Sequence, residues 1–290
     1  MTKPVREETI ILPAPAKLNL MLHITGQDER GYHLLQTMFQ LLDYGDTLTF
    51  EFSNDDQVTF SCSVPELETD NNLVLQAAEV LRPYATEFRG INIHLDKVLP
   101  MGGGIGGGSS DCATTLLALN ELWQCHLSID ELSKLGVSLG ADIPVFIHGK
   151  TAWAEGIGEE LFAHDLPELW YLVIHPECFV STAKIFSNKA LTRDCEISKI
   201  RDFLAQGGPK RGNNVMEPVV FDLYPEVKKV RDWLIQFNPD ARMTGSGSCL
   251  FAPFDNEREA RKIASRCEWP NFVAKGVNTS PTHTKLFGLN

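Results

Sequence analysis

Pro100-Met101-Gly102-Gly103-Gly104-Ile105-Gly106-Gly107-Gly108-Ser109-Ser110-Asp111 is the most informative stretch of this 290-residue chain. Six of the seven positions from 102 to 108 are glycine. Without a Cβ, the backbone there can adopt positive φ and approach a ligand closely. The run follows residues 90–96, which read as a strand. It precedes an apolar stretch from Ser109 to Trp123 that reads as a helix buried nearly all round. A glycine run that opens a helix offers backbone N–H groups and the positive end of the helix dipole to an anion, above all a phosphate. A flexible linker is the bland alternative, but a linker rarely leads into an apolar helix that starts with Ser-Ser.

Two common phosphate loops are excluded by context. Gly102, Gly104 and Gly107 satisfy GxGxxG. A dinucleotide-binding fold also needs a βαβ unit, with an acidic residue about 20 positions on at the end of the next strand. Here two helices follow, the second at 129–139 with Ser128 as N-cap, and Glu121 lies inside the first. A Walker A loop ends in Gly-Lys-[Ser/Thr], and Gly108-Ser109-Ser110 lacks the lysine. A different nucleotide-binding scaffold is required.

Outward from the run, apolar or alternating segments predict strands at 9–13, 17–24, 35–42 and 47–52, with Tyr44-Gly45-Asp46 as a turn between the last two. A helix is expected at 72–82. Beyond residue 160 the pattern predicts strands at 169–174, 248–253 and 271–276, and helices at 197–205, 215–222, 225–237 and 256–267. Residues 206–212 read as a loop. Early strands that are consecutive rather than alternating with helices argue for α+β over a doubly wound sheet. A boundary near residue 158 divides the chain into 1–158 and 159–290.

The balance of 26 Lys+Arg against 38 Asp+Glu, a net charge of −12, argues against nucleic acid or an anionic membrane as partner. It does not argue against a small anion in a local site. No apolar run is long enough to span a bilayer. The N-terminus carries acidic residues where a signal peptide needs an apolar run. Seven scattered cysteines without CxxC, and histidines without HExxH, read as a reduced, cytoplasmic protein with no structural zinc.

Three further segments narrow the scaffold. The first is Pro13-Ala-Pro-Ala-Lys17-Leu-Asn19-Leu20, followed by Gly31-Tyr32-His33. The second is Gly140-Ala-Asp142-Ile-Pro144-Val-Phe146, then Ala154-Glu-Gly156-Ile-Gly158. The third is Thr244-Gly-Ser-Gly-Ser248. With the glycine run they occur in order from residue 13 to 248. Over nearly its whole length the chain resembles the GHMP kinase superfamily, named for galactose, homoserine, mevalonate and phosphomevalonate members. Within it, the chain looks closest to the branch that phosphorylates a cytidine diphosphate alcohol.

The resemblance implies a two-domain α+β fold, with a ribosomal protein S5 domain 2-like N-terminal domain and a ferredoxin-like C-terminal domain. It implies ATP as co-substrate with Mg²⁺, held along Pro100–Ser110, with Ser109 or Ser110 reaching the phosphates or the metal. It singles out no metal ligand. Asp142 becomes the catalytic base and Lys17 its neighbour, stabilising charge in transfer. Taken alone, the two read equally well as a turn or capping Asp and a surface Lys. Tyr32 and His33 would supply a stacking surface and hydrogen bonds for the cytosine. Phe186 would be the second aromatic face, Thr182 a nearby polar contact, and Asn19 a group near the diphosphate or the alcohol. By analogy Lys97 and Asn72 lie near adenine and ribose; a solvated strand end and a helix cap are their bland alternatives. A homodimer stays open.

Two positions depart from the family pattern. Arg30 stands where Asp usually precedes Gly-Tyr-His, and Cys112 replaces the usual Ala after Ser-Ser-Asp. Segment 190–215 carries no recognisable function. Another alcohol as substrate, and a non-catalytic nucleotide-binding regulator, remain the alternatives.

Overall fold

The computed structural model describes residues 9–29 and 31–289; Arg30 and the N-terminal octet lie outside the described residues. Two long antiparallel strands, β1 (Thr9–Gln27) and β2 (His33–Phe52), replace the four short ones expected. Register shifts interrupt the pairing at Pro15/Lys17, Asn19/Leu22 and Ile24/Gly26. The turn expected at Tyr44-Gly45-Asp46 does not form. β2 runs through it, with Gly45 opposite Pro15 and Asp46 opposite Ala14. A Cβ on Gly45 would lie 2.0 Å from the Ala14 carbonyl oxygen, so the glycine permits close approach of β1 rather than a reversal. The Asp46 carboxylate is buried and accepts the N–H groups of Val98 and Leu99 at 2.7 and 2.8 Å.

Next come β3 (Val58–Cys62), which the pattern did not predict, α1 (Leu73–Leu81) and β4 (Ile91–Asp96), with β3 and β4 parallel. Asn72 caps α1 by accepting the Val74 N–H, and the helix buries Val74, Ala77, Ala78 and Leu81 at the expected spacing. Helix α2 (Gly107–Leu122) starts inside the glycine run, and most of its residues are buried. α3 (Ile129–Leu139) opens with a reciprocal capping box between Ser128 and Glu131. Then follow α4 (Ile143–His148), β5 (Ala152–Glu155) and β6 (Glu160–Ala163), the last pairing with β5.

The second half comprises β7 (Trp170–Ile174), α5 (Thr182–Phe186), α6 (Ile200–Ala205), α7 (Glu217–Leu223), α8 (Pro225–Leu234), β8 (Arg242–Met243), β9 (Leu250–Phe254), α9 (Glu257–Ala264), β10 (Asn271–Val277) and α10 (Pro281–Phe287). The fold is α+β. The strands follow the order β3-β4-β2-β10-β7-β9-β8, with β1 and β5 also pairing with β2. β10 pairs with β7 over Asn271–Lys275 and then meets β2 at Gly276 and Val277, so one strand ties the two halves together. One apolar cluster packs α1, α2 and α4 on the first sheet, a second fills the C-terminal half, and a third, including Leu18, Met38, Tyr171 and Phe251, joins them. Burying each such side chain contributes roughly 1.5–3 kcal/mol. Beyond β10 the chain returns to the first half: Thr282 Oγ1 donates to the Pro13 carbonyl at 2.7 Å, and His283 Nε2 to that of Ile147 at 2.8 Å. No helix among the described residues is long and apolar enough to cross a membrane.

Candidate active site

Two cavities meet at the glycine run. The larger, about 790 Å³, is lined among others by Lys17, Asn19, Tyr32, His33, Asp142, Thr182, Phe186 and Ser246. The smaller, about 450 Å³, is lined by Asn72, Lys97 and every residue from Pro100 to Ser109. Gly102, Gly104 and Ser109 face both. Ser110 lies fully buried beneath them.

The run is pinned from both halves of the molecule. The Lys17 N–H, at a register shift in β1, donates to the Ile105 carbonyl at 2.9 Å; the Cys249 N–H donates to Gly103 at 3.0 Å. Thr244 Oγ1 donates to the Gly104 carbonyl at 3.2 Å. Gly104 has φ +73°, and a Cβ on it would stand 2.3 Å from the Thr244 carbonyl oxygen. Glycine is therefore required for this loop to reach the Thr244–Ser248 loop.

Lys17 is the polar centre. Its side chain is 2% exposed, and its ammonium donates to Asn19 Oδ1 at 2.5 Å and to the Gly104 carbonyl at 3.2 Å. It pairs with Asp142 Oδ2 at 3.1 Å. Three partners match the three donors of an ammonium. Asn19 is fixed in turn, its Nδ2 donating to Thr37 Oγ1 at 2.9 Å and its N–H to Thr244 Oγ1 at 2.9 Å. Asp142 occupies the N-cap position of α4, with Pro144 in the first turn, yet its carboxylate makes no capping bond. The side chain is instead 37% exposed, turned to Lys17 at the edge of the cleft. A fixed cation and a carboxylate beside a phosphate-sized loop can neutralise oxygen charge and accept a proton.

At the far end, His33 lies against Phe186, ring centroids 4.7 Å apart and planes at 31°. Tyr32, on the same loop, is 57% exposed at the cleft edge. Thr182 Oγ1 and Ser246 Oγ share a hydrogen bond of 2.7 Å. Burial, and then the Arg193 guanidinium beside it, hold the His33 imidazole below its ordinary range.

Lys97 is not a solvated strand end. Its ammonium lies 2.5 Å from Asp46 Oδ2 and 2.7 Å from Asp111 Oδ2, all three side chains almost fully buried. Burial lowers its basicity, but the two carboxylates outweigh that and raise it. Burial, opposed by Lys97 and helped by Asp46, pushes the Asp111 carboxyl up to about 7. Asn72 caps α1, as its bland alternative has it, and also lines the smaller cavity. Sequence reasoning missed Asp46, Asp111, Arg193, Thr244 and Ser246. Thr244 and Ser246 were signalled by the small-residue loop that contains them; Arg193 had no local signal.

Residues 72–150 match the family GHMP kinases N terminal domain, and residues 197–270 match GHMP kinases C terminal. A 4-diphosphocytidyl-2-C-methyl-D-erythritol kinase from Hahella chejuensis is 48% identical over 292 residues, covering 97% of this chain and 98% of the relative. One from Pseudomonas aeruginosa is 51% identical over 277 residues, covering 95% and 96%. A crystal structure of 4-(cytidine 5'-diphospho)-2C-methyl-D-erythritol kinase superposes with a TM-score of 0.78 at 32% identity, covering 92% of this chain and 99% of that one.

Proposed function

The chain belongs to the GHMP kinase family, and from that premise we propose that it transfers the γ-phosphoryl group of ATP to the 2-hydroxyl of 4-diphosphocytidyl-2-C-methyl-D-erythritol, in the methylerythritol phosphate route to isoprenoid precursors. The observation that carries the chemistry is the Lys17–Asp142 pair in the larger cavity, with Lys17 bonded to Gly104, which lines both cavities. ATP occupies the smaller cavity with its phosphates along Pro100–Ser110, and the cytidine diphosphate alcohol occupies the larger. Residues 1–158 then hold ATP and the base, and residues 159–290 close the substrate side with Thr182 and Phe186.

The alcohol oxygen attacks the γ-phosphorus, and Asp142 takes its proton. Asp142 Oδ2 is held by Lys17 at 3.1 Å, so Oδ1 is the oxygen assigned to the hydroxyl. The Lys17 ammonium stabilises the charge that develops on the oxygens in transfer. The N–H groups at the start of α2 lack intrahelical partners and suit the same phosphates. Asn19 orients Lys17 and reaches the alcohol side. His33 and Phe186, with Tyr32, receive the cytosine.

Among the described residues no three His, Cys, Asp or Glu side chains gather to hold a metal. Ser109, which lines both cavities, would be the hydroxyl to reach an Mg²⁺ carried on the nucleotide's phosphates, where the ion would supply charge neutralisation. We place the enzyme in the cytoplasm, acting on small molecules rather than nucleic acid. The test is ATP consumption with the cytidylylated methylerythritol and with other alcohols, for the native protein and Asp142→Ala. Turnover of a different alcohol in its place, or none, would sink the substrate assignment; undiminished turnover by Asp142→Ala would remove the base.

A further inference from the structure

Arg193 stands in the segment to which no motif assigned a role, and every nitrogen of its guanidinium is engaged. Nε donates to His33 Nε2 at 3.0 Å. Nη1 donates to the Leu191 carbonyl at 2.9 Å, and Nη2 to those of Phe186 and Asn188 at 2.6 and 2.9 Å. A guanidinium donates and never accepts. His33 Nε2 must therefore be the acceptor, and the neutral ring carries its one proton on Nδ1. A second proton on Nε2 would break that bond and place two positive charges together. The same guanidinium holds the end of α5, whose Phe186 ring lies against His33. One side chain thus orders a stacking ring from the second half of the chain and a hydrogen-bonding ring from the first.

We propose that Arg193 is a positioning residue that locks His33 as the Nδ1–H tautomer and so makes the cleft select cytosine over uracil. This rests on the reading that the base lies against His33 and Phe186. Cytosine N3 is a bare acceptor, whereas uracil N3 carries a hydrogen. An Nδ1–H donor complements the first and opposes the second. If the ring could exchange tautomers freely it would accommodate either base; the Arg193 bond removes that freedom. Arg193 is the charged group bonded to the ring. Asp28, on the neighbouring loop, accepts the Tyr32 N–H, and Lys17 pairs with Asp142.

The test uses the full chain labelled with ¹⁵N-histidine, together with Arg193→Met and Arg193→Lys. In the native protein the His33 nitrogen shifts should report Nδ1–H, with titration below the ordinary histidine range. In Arg193→Met the two tautomers should mix and the titration should move upward. The ratio of kcat/KM for the cytidine substrate to that for its uridine analogue should fall about 10- to 100-fold, chiefly through KM, as expected when one polar contact is no longer matched. Arg193→Lys keeps a donor and should recover part of the ratio. An Nε2–H tautomer in the native protein, or an unchanged ratio in Arg193→Met, would overturn the proposal. The tautomer is read without substrate and without any variant. Loss of the substrate assignment itself would appear separately, as failure of the native enzyme to turn over the cytidine compound.

Discussion

The Lys17 ammonium lies 3.1 Å from the Asp142 carboxylate, although one residue sits at a register shift in β1 and the other stands just before a helix in the middle of the chain. Lys17 also donates to the Gly104 carbonyl, which ties the pair to the glycine run. Asp142→Asn keeps the shape and loses the proposed proton acceptor, so kcat should fall about 10²–10⁴-fold with KM for both substrates little changed. Lys17→Met should lower kcat comparably. Steady-state kinetics checked against unchanged circular dichroism decide this; a kcat within threefold of native would count against the pair.

Lys97→Met would leave Asp46 and Asp111 buried without their cation, at a cost of about 3–5 kcal/mol in urea denaturation. Adding Asp111→Asn should recover part of that loss, since it removes one of the stranded charges.

Asp111 also implies a pH dependence with a definite sign. Its carboxyl is raised from 3.8 to about 7 in the fold, so the native state binds this proton more tightly than the unfolded chain. Its contribution to stability is complete below about pH 4 and declines as pH rises through about 7. The stability of Asp111→Asn relative to native should therefore improve across that window, measured as unfolding free energy at several pH values.

Phe186→Ala removes one face of the proposed cytosine site. Stacking of a base on an aromatic ring is worth about 1–3 kcal/mol. KM for the cytidine substrate should therefore rise by roughly one to two orders of magnitude, while KM for ATP stays put. An equal rise in both constants would point to a general collapse of the cleft instead.

His283 ties α10 to the end of α4, and burial holds its imidazole down to about 4. The unfolded chain binds that proton first, so the stability it protects is present above about pH 6.5 and is lost as pH falls toward 4. The loss should be roughly 2–3 kcal/mol over that range. His283→Asn should flatten the acid side of the stability profile, read by thermal unfolding at pH 5 and pH 7.

Local pattern was enough where the determinant is itself local. The 3.6-residue spacing of Val74, Ala77, Ala78 and Leu81, and the Ser128–Glu131 cap, placed α1 and α3 to within a residue or so. It misled at Tyr44-Gly45-Asp46, because glycine suits both a turn and the close crossing of two strands. Only the Ala14 carbonyl, 2.0 Å from where a Cβ would stand, tells them apart. Sequence left Lys97 open between a nucleotide contact and a solvated strand end, because nothing near it reveals that Asp46 comes from β2 and Asp111 from α2 to bury it.

By itself, then, the amino-acid order determined that a glycine run opens a buried helix in an α+β chain, and which ordered motifs stand around it. These properties follow from missing Cβ atoms, apolar spacing and residue chemistry over a few neighbours. Which groups meet was decided only in three dimensions: Lys17 with Asp142, Thr244 with Gly104, and Arg193 with His33. Each contact joins segments far apart in the chain. It exists because β1 and β2 shift register, β10 bridges the halves, and buried polar groups must find partners wherever packing leaves them.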